Sequence, residues 1–210
     1  MKRLPGIFLL CFAVCTVLAA CGRRELPVLG QLPSFHLTDQ NERLLSLEGL
    51  RGQVWVANFV FTSCGHTCPL LTQRMKGVQE RLKEWKSLNP EWPLGIVSFS
   101  VDPERDTPAV LAEYAKRFGA DTTIWRFATG SVEEVENTVV RGFKMAMGKV
   151  PLEGAIATGG PGEIFDVLHG EKFVLVDQKG RIRGYYASEN GQEMRRMLND
   201  LQALLASGTL

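Results

Sequence analysis

The 210-residue sequence lacks an excess of charge of either sign, with 24 lysines and arginines against 23 aspartates and glutamates. That balance gives no general electrostatic case for binding nucleic acid or an acidic membrane surface. A short repeat is missing too. With 21 Gly and 10 Pro scattered through a chain that is 45% hydrophobic, collagen, a long coiled coil and wholesale disorder are excluded. Long apolar runs are absent except for one at the N-terminus, which excludes a multi-span membrane protein. Histidine is scarce: His36, His66 and His169 are all there is. What is left fits one domain of ordinary size plus a short appendage, long enough to bury a core without covalent staples.

The N-terminal run has a recognisable grammar. Lys2 and Arg3 precede an apolar stretch from Ile7 to Ala20, and Leu18-Ala19-Ala20 leads into Cys21. A basic start, an apolar centre and small residues before a cut describe a secretory signal. A cysteine directly after Leu-Ala-Ala also resembles the bacterial lipobox, in which that cysteine receives lipid. Residues 1–20 therefore read as a lipoprotein signal peptide and Cys21 as the lipidated residue; the plainer alternative is an uncleaved signal anchor. Either way, the globular part is expected to be exported and held at a bacterial membrane, on its periplasmic or extracytoplasmic face.

This accounting isolates one cysteine pair. Cys11 and Cys15 leave with the signal and Cys21 is spent on lipid, so Cys64 and Cys68 remain. A scaffold of many disulfides is excluded, while a single close pair sits in a compartment that favours oxidation.

Residues 21–32 read as a tether that lets a membrane-held domain stand clear of the bilayer. Beyond it, strand and helix alternate. Val54 to Phe61 is nearly continuous and apolar, as for a strand buried on both faces. Leu71, Met75, Val78, Leu82 and Trp85 form one stripe of an amphipathic helix. Leu94 to Val101 is a second apolar strand, and Thr107-Pro108 opens a helix whose buried face is Val110, Leu111, Tyr114 and Phe118. A short strand over 124–127 and a short helix over 132–140 follow. The Gly- and Pro-rich stretch 142–162 predicts a long loop. Phe173–Val176 and Ile182–Tyr186 flank Asp177-Gln178-Lys179-Gly180, a hairpin signal, and Met194, Met197, Leu198, Leu201 and Leu205 make a last helix. The pattern gives an α/β fold, in the element order of a thioredoxin-like sandwich.

Both cysteines fall between the first buried strand and its helix, in Phe59-Val60-Phe61-Thr62-Ser63-Cys64-Gly65-His66-Thr67-Cys68-Pro69. Pro69 disfavours a helical conformation at Cys68, which puts Cys68 at or beside the N-cap, where unpaired N–H groups lower a thiol pKa. Gly65 allows a tight path back to Cys64. Three chemistries fit. The pair can close a stabilising disulfide, although so short a loop gains little from one. It can hold zinc, but no His-x(3–5)-His pair is available. It can bind a soft, low-coordinate ion such as Cu(I), which needs only two thiolates and one imidazole.

Three segments together resemble the Sco/SenC family: Thr62-Ser63-Cys64 with Cys68-Pro69, then Asp102-Pro103-Glu104-Arg105-Asp106-Thr107-Pro108, then His169 ahead of Phe173-Val174-Leu175-Val176-Asp177. The resemblance implies a thioredoxin-like domain over residues 33–206 that binds copper, one ion per chain, through Cys64, Cys68 and His169. It implies a metallochaperone assisting assembly of the copper centre of cytochrome c oxidase. Its partners would be the oxidase's copper-bearing subunit or another copper chaperone, its membrane contact the lipid anchor, and nucleic acid none of its business. Asp102 to Pro108 is expected first to serve strand exit and helix capping, and second to dock a partner.

Between the cysteines this chain has Gly65-His66-Thr67 where many members have Pro-Asp-x. His66 is therefore a candidate fourth ligand or proton acceptor, set against simple exposure. Met145 and Met147 are candidate thioether ligands, set against packing. The rival chemistry is thiol–disulfide exchange by the Cys64/Cys68 redox pair. A thioredoxin would show Cys-x-x-Cys and a Pro just before the hairpin, and between Glu163 and Tyr186 there is none. A glutathione-peroxidase-like protein would share Cys64-Gly65-His66-Thr67, but Leu168 and His169 stand where its Trp and Asn would be.

Overall fold

The computed structural model describes residues 25–65, 67–145 and 171–207. His66, Met147 and His169, the lipidation candidate Cys21, the signal peptide and most of the expected 142–162 loop lie outside them.

Eight strands form one mixed sheet in the order β1-β8-β7-β4-β5-β6-β2-β3. They are β1 (Gly30–Gln31), β2 (His36–Asp39), β3 (Leu44–Ser46), β4 (Val54–Val60), β5 (Leu94–Ser100), β6 (Trp125–Thr129), β7 (Lys172–Val176) and β8 (Arg181–Ala187). Around it lie α1 (Leu47–Leu50), α2 (Thr67–Leu88), α3 (Pro108–Phe118), α4 (Val132–Glu136) and α5 (Gly191–Ser207). The architecture is the thioredoxin-like α/β sandwich expected, with β4 and β5 parallel at its centre and every residue of both buried. Among the described residues no helix is long and apolar enough to cross a membrane.

Strand alternation divides the core into two layers. Trp55, Ala57 and Phe59 of β4 face one side, where Phe99 and Phe143 join them with ring centroids 5.1 to 6.2 Å apart. Val54 and Val56 face the other, against Leu71, Met75 and Leu82 of α2, Leu111 and Tyr114 of α3, and Met197 and Leu201 of α5. Burying each such side chain stabilises the fold by about 1.5–3 kcal/mol. Three polar groups sit inside the second layer. The Ser98 hydroxyl donates to Asn58 Oδ1 (2.6 Å) and Trp125 Nε1–H donates to Ser98 Oγ (2.8 Å), joining β4, β5 and β6.

The hairpin forms where the sequence predicts. Asp177 Oδ1 accepts from the backbone N–H groups of Lys179 and Arg181, and Gly180 takes the left-handed conformation at φ 75°. Thr107 caps α3, accepting from the Val110 N–H, with Pro108 at the first helical position. The expected helix over 132–140 is regular only to Glu136; Asn137–Gly142 continues as a wider π turn that delivers Phe143 to the aromatic cluster.

The segment expected to be a tether differs from its reading. Residues 25–32 are fastened to the domain: β1 pairs antiparallel with β8, and Leu32 is buried in the core. The Arg183 guanidinium, itself buried and paired with Asp177 (2.7 Å), donates from Nε to the Pro27 carbonyl (3.0 Å) and from Nη2 to the Leu26 carbonyl. Those carbonyls belong to a segment without strong periodicity, so nothing local in the sequence signals the clamp.

Candidate functional site

The cysteine pair lies at the C-terminal end of the two central strands. After Val60 the chain turns, with the Cys64 N–H donating to the Phe61 carbonyl (3.2 Å), and α2 begins at Thr67. Cys68 occupies the first turn of α2, and its backbone N–H donates to Cys64 Sγ (3.3 Å). Both side chains are thiols here. The two differ in surroundings: Cys64 is half-buried and packs against the edge of the first core layer, whereas Cys68 is 3% exposed and belongs to that layer.

That contrast corrects one expectation. A helix N-terminus was expected to lower the Cys68 pKa, but burial pushes this thiol well above its ordinary value. A backbone hydrogen bond from Phe61 opposes the rise only in part, and Cys64 and Asp106 nearby add to it. The N–H that the helix start offers goes instead to Cys64. Cys64 is the accessible sulfur and Cys68 the protected one.

Asp106 holds the loop in place. Its carboxylate, wholly buried, accepts from the Thr62 backbone N–H (3.2 Å to each oxygen), from Thr62 Oγ1–H (2.5 Å) and from Ser100 Oγ–H (2.6 Å). Two residues before Cys64, the loop is thus tied to the end of β5. Burial raises the Asp106 pKa, and the hydrogen bonds from Ser100 and Thr62 oppose the rise. In the sequence, Asp102 to Pro108 is expected to serve strand exit and helix capping. Thr107 does cap, and Asp102 pairs with Arg105 (3.2 Å), but the loop-holding role of Asp106 was missed. Its signal, a carboxylate just after an apolar strand, acquires meaning only once β5 is known to end beside β4.

Behind the pair, the hydroxyls of Thr72 and Tyr114 share a buried hydrogen bond (2.7 Å) that joins α2 to α3. Met145 is buried in the same apolar layer as Cys68, which matches the packing reading of that residue. Among the described residues no group of three or more His, Cys, Asp or Glu side chains converges on one point. The described donors suited to a metal are the two sulfurs, whose softness fits a thiophilic ion and not a hard one.

A model of the SCO1/SenC family matches residues 29–206, spanning both cysteines and the segment around Asp106. This chain belongs to that family. The SCO1 protein homolog of Bacillus subtilis is 34% identical over 177 residues, which cover 82% of this chain and 83% of the homolog. A SCO1/SenC family lipoprotein from Bacillus anthracis is 30% identical, with a TM-score of 0.68 over 86% of this chain and 98% of that one. BsSco, described as carrying a disulfide switch and as a member of the Sco family of cytochrome c oxidase assembly proteins, is likewise 30% identical. Its TM-score is 0.68 over 89% of this chain and 99% of its own. The part of this SCO1/SenC protein that matches the family includes Cys64 and Cys68, with Gly65-His66-Thr67 between them.

Proposed function

We propose that this protein binds one copper ion through the Cys64 and Cys68 thiolates with the His169 imidazole, and passes it on during assembly of the copper centre of cytochrome c oxidase. Lipid on Cys21 would hold it on the outer side of a bacterial membrane. The observation that carries this reading is the bond from the Cys68 N–H to Cys64 Sγ, which brings two soft donors to the start of one helix, one accessible and one sheltered. A bound cation would offset the cost of ionising Cys68 in its buried position.

The sheet supports the third ligand. β7 runs antiparallel to β4, pairing Ala57 with Val174 and Trp55 with Val176. Its first residue, Lys172, therefore lies toward the cysteine end, and the chain arrives there three residues after His169. Copper analysis of protein purified reduced and without oxygen tests the proposal: one equivalent in the native chain, far less in Cys64→Ser, and weakened binding with an intact fold in His169→Ala. Equal affinity in the last variant removes His169 from the site. Oxidation to the Cys64–Cys68 disulfide should abolish Cu(I) binding, and stoichiometric Cu(I) on the oxidised protein would contradict thiolate ligation.

A second reading, thiol–disulfide reductase, is favoured by the unequal exposure of the pair. The Cys64 thiolate would attack a substrate disulfide, and Cys68 would then displace the mixed disulfide. The substrate gains two electrons as two thiols and the pair becomes a disulfide. Turnover of a disulfide substrate without metal, well above the rate of free dithiol, would support this role.

A further inference from the structure

The chain enters the domain at the end of the sheet opposite the cysteines. Cys64 and Cys68 follow Val60, whereas Trp55 pairs with Val176 at the other end of β4, and Asp177 comes next there. The Arg183 guanidinium that pairs with Asp177 (2.7 Å) also holds the Leu26 and Pro27 carbonyls, so residues 26 and 27 are fastened beside the β7–β8 turn. Only Gly22, Arg23 and Arg24 lie between Glu25 and the lipidation candidate Cys21. Fully extended, the link from Cys21 to Glu25 reaches about 14 Å. The 22 residues of α2, which run from the cysteine loop to the turn end, are about 33 Å long. So short a link cannot carry a lipid past the domain to its cysteine end.

A continuous rim joins the entry point to the far end of α2. The Gly52 N–H donates to the Gln178 carbonyl (2.8 Å), and the Val54 N–H to the Pro93 carbonyl (2.8 Å). Trp92, next to Pro93, meets Trp85 edge to face with ring centroids 6.3 Å apart. Both indoles are half-buried, and Leu88, the last residue of α2, leaves 73% of its surface in solvent. Over the link and rim, residues 22–27, 51–53, 85–93 and 177–181, six basic residues stand against three acidic ones, of which Asp177 is already paired with two arginines. Tryptophan suits the headgroup layer because its ring is apolar at one end and polar at the other, and clustered lysines and arginines are drawn to acidic lipid.

We propose that the rim formed by Arg51, Trp85, Lys86, Leu88, Trp92 and Lys179 rests on acidic phospholipid headgroups. Cys64 and Cys68 then face away from the bilayer, about 30 Å above it. A partner meets the pair from the aqueous side and presents its own site at that height. The proposal rests on the lipid anchor at Cys21 given above.

Helix α2 supplies an internal ruler for the test. Leu70, in its first turn, is at the cysteine end and 48% exposed, and eighteen residues of helix put Leu88 about 27 Å away. A fluorescent amino acid is placed at either position by codon reassignment, which leaves the thiols untouched. The lipidated full chain is reconstituted on phosphatidylethanolamine–phosphatidylglycerol vesicles containing nitroxide-headgroup lipid. Several-fold stronger quenching at position 88 than at position 70 is expected, and the difference should shrink toward none when Arg51→Gln, Lys86→Gln and Lys179→Gln are combined. Equal or reversed quenching in native protein that floats with the vesicles, or a difference that the triple variant leaves untouched, overturns the headgroup contact and leaves the anchor standing. If the native chain floats no better than Cys21→Ala, the anchor itself fails and the contact falls with it.

Discussion

Replacing Asp106 by Ala should loosen the loop that presents Cys64, and the cost can be worked from its contacts. The change strips the acceptor from three donors: the Thr62 N–H, the Thr62 hydroxyl and the Ser100 hydroxyl. The hydroxyls can turn to other acceptors, but the backbone N–H cannot, and an unsatisfied buried donor costs about 1–3 kcal/mol. Removing a carboxylate that burial already disfavours offsets part of this. A net loss of about 2 kcal/mol at neutral pH is expected, read by urea unfolding of the reduced protein. Asp106→Asn keeps an acceptor oxygen for Thr62 and should cost less. The pH profile separates charge from shape. Because the native-state pKa of Asp106 is raised above 3.8, the native state holds its proton longer than the unfolded state, and this group's contribution to stability falls as pH rises from about 4 through the raised value. The gap between wild type and Asp106→Asn should therefore change across that window. Asp106→Ala within about 0.5 kcal/mol of wild type, the scatter of a neutral surface change, would refute the loop-holding argument.

Arg183→Met leaves Asp177 with one guanidinium, from Arg181, and releases the Leu26 and Pro27 carbonyls. A loss of about 3 kcal/mol is expected from breaking one side of a buried pair, with faster amide exchange at Leu29 and Leu32 as the specific readout. Asp177 itself has a pKa held below 3.8, with hydrogen bonds from Arg181, Arg183 and Lys179 overcoming burial. Its contribution is present above that value and lost as pH falls through the lowered one, so acid unfolding of Asp177→Asn should show a shallower slope there. Gly184→Ala places a Cβ against the Tyr186 ring and hydroxyl, which donates to Asp200 (2.7 Å). About 1–3 kcal/mol should be lost in thermal or urea melts, since the ring must leave its seat.

The long apolar strands, the Asp177–Gly180 turn and the α2 stripe were legible because each is a local pattern strong enough to be read without a partner. Strands β1 to β3, two to four residues each, were not: their pairing is with segments up to about 150 positions away, and alternation that short has no period to detect. At the site, spacing and flanking residues picked out Cys64 and Cys68, but local rules misassigned the electrostatics of Cys68. The helix-start rule speaks for a lower thiol pKa at Cys68; how deeply that sulfur is buried depends on the aromatic layer beneath it, built from Phe59, Phe99 and Phe143. Asp106 was visible as a letter and invisible as a contact, because the strand ends it joins are 40 residues apart in sequence, Val60 against Ser100.

The Asn58–Ser98–Trp125 chain of hydrogen bonds has a consequence for how the central strands find their alignment. Runs as uniformly greasy as Val54–Val60 and Leu94–Ser100 slide past one another with little penalty, since any offset hides hydrocarbon equally well. Asn58 lies opposite Ser98 in the ladder, so any offset takes the Ser98 hydroxyl away from the buried Asn58 Oδ1, and Trp125 carries the same check to the third strand. Exchanging all three for hydrocarbon of equal volume would leave a sheet of similar strength that no longer knows its own place, and the cysteine loop at its end would inherit that ambiguity.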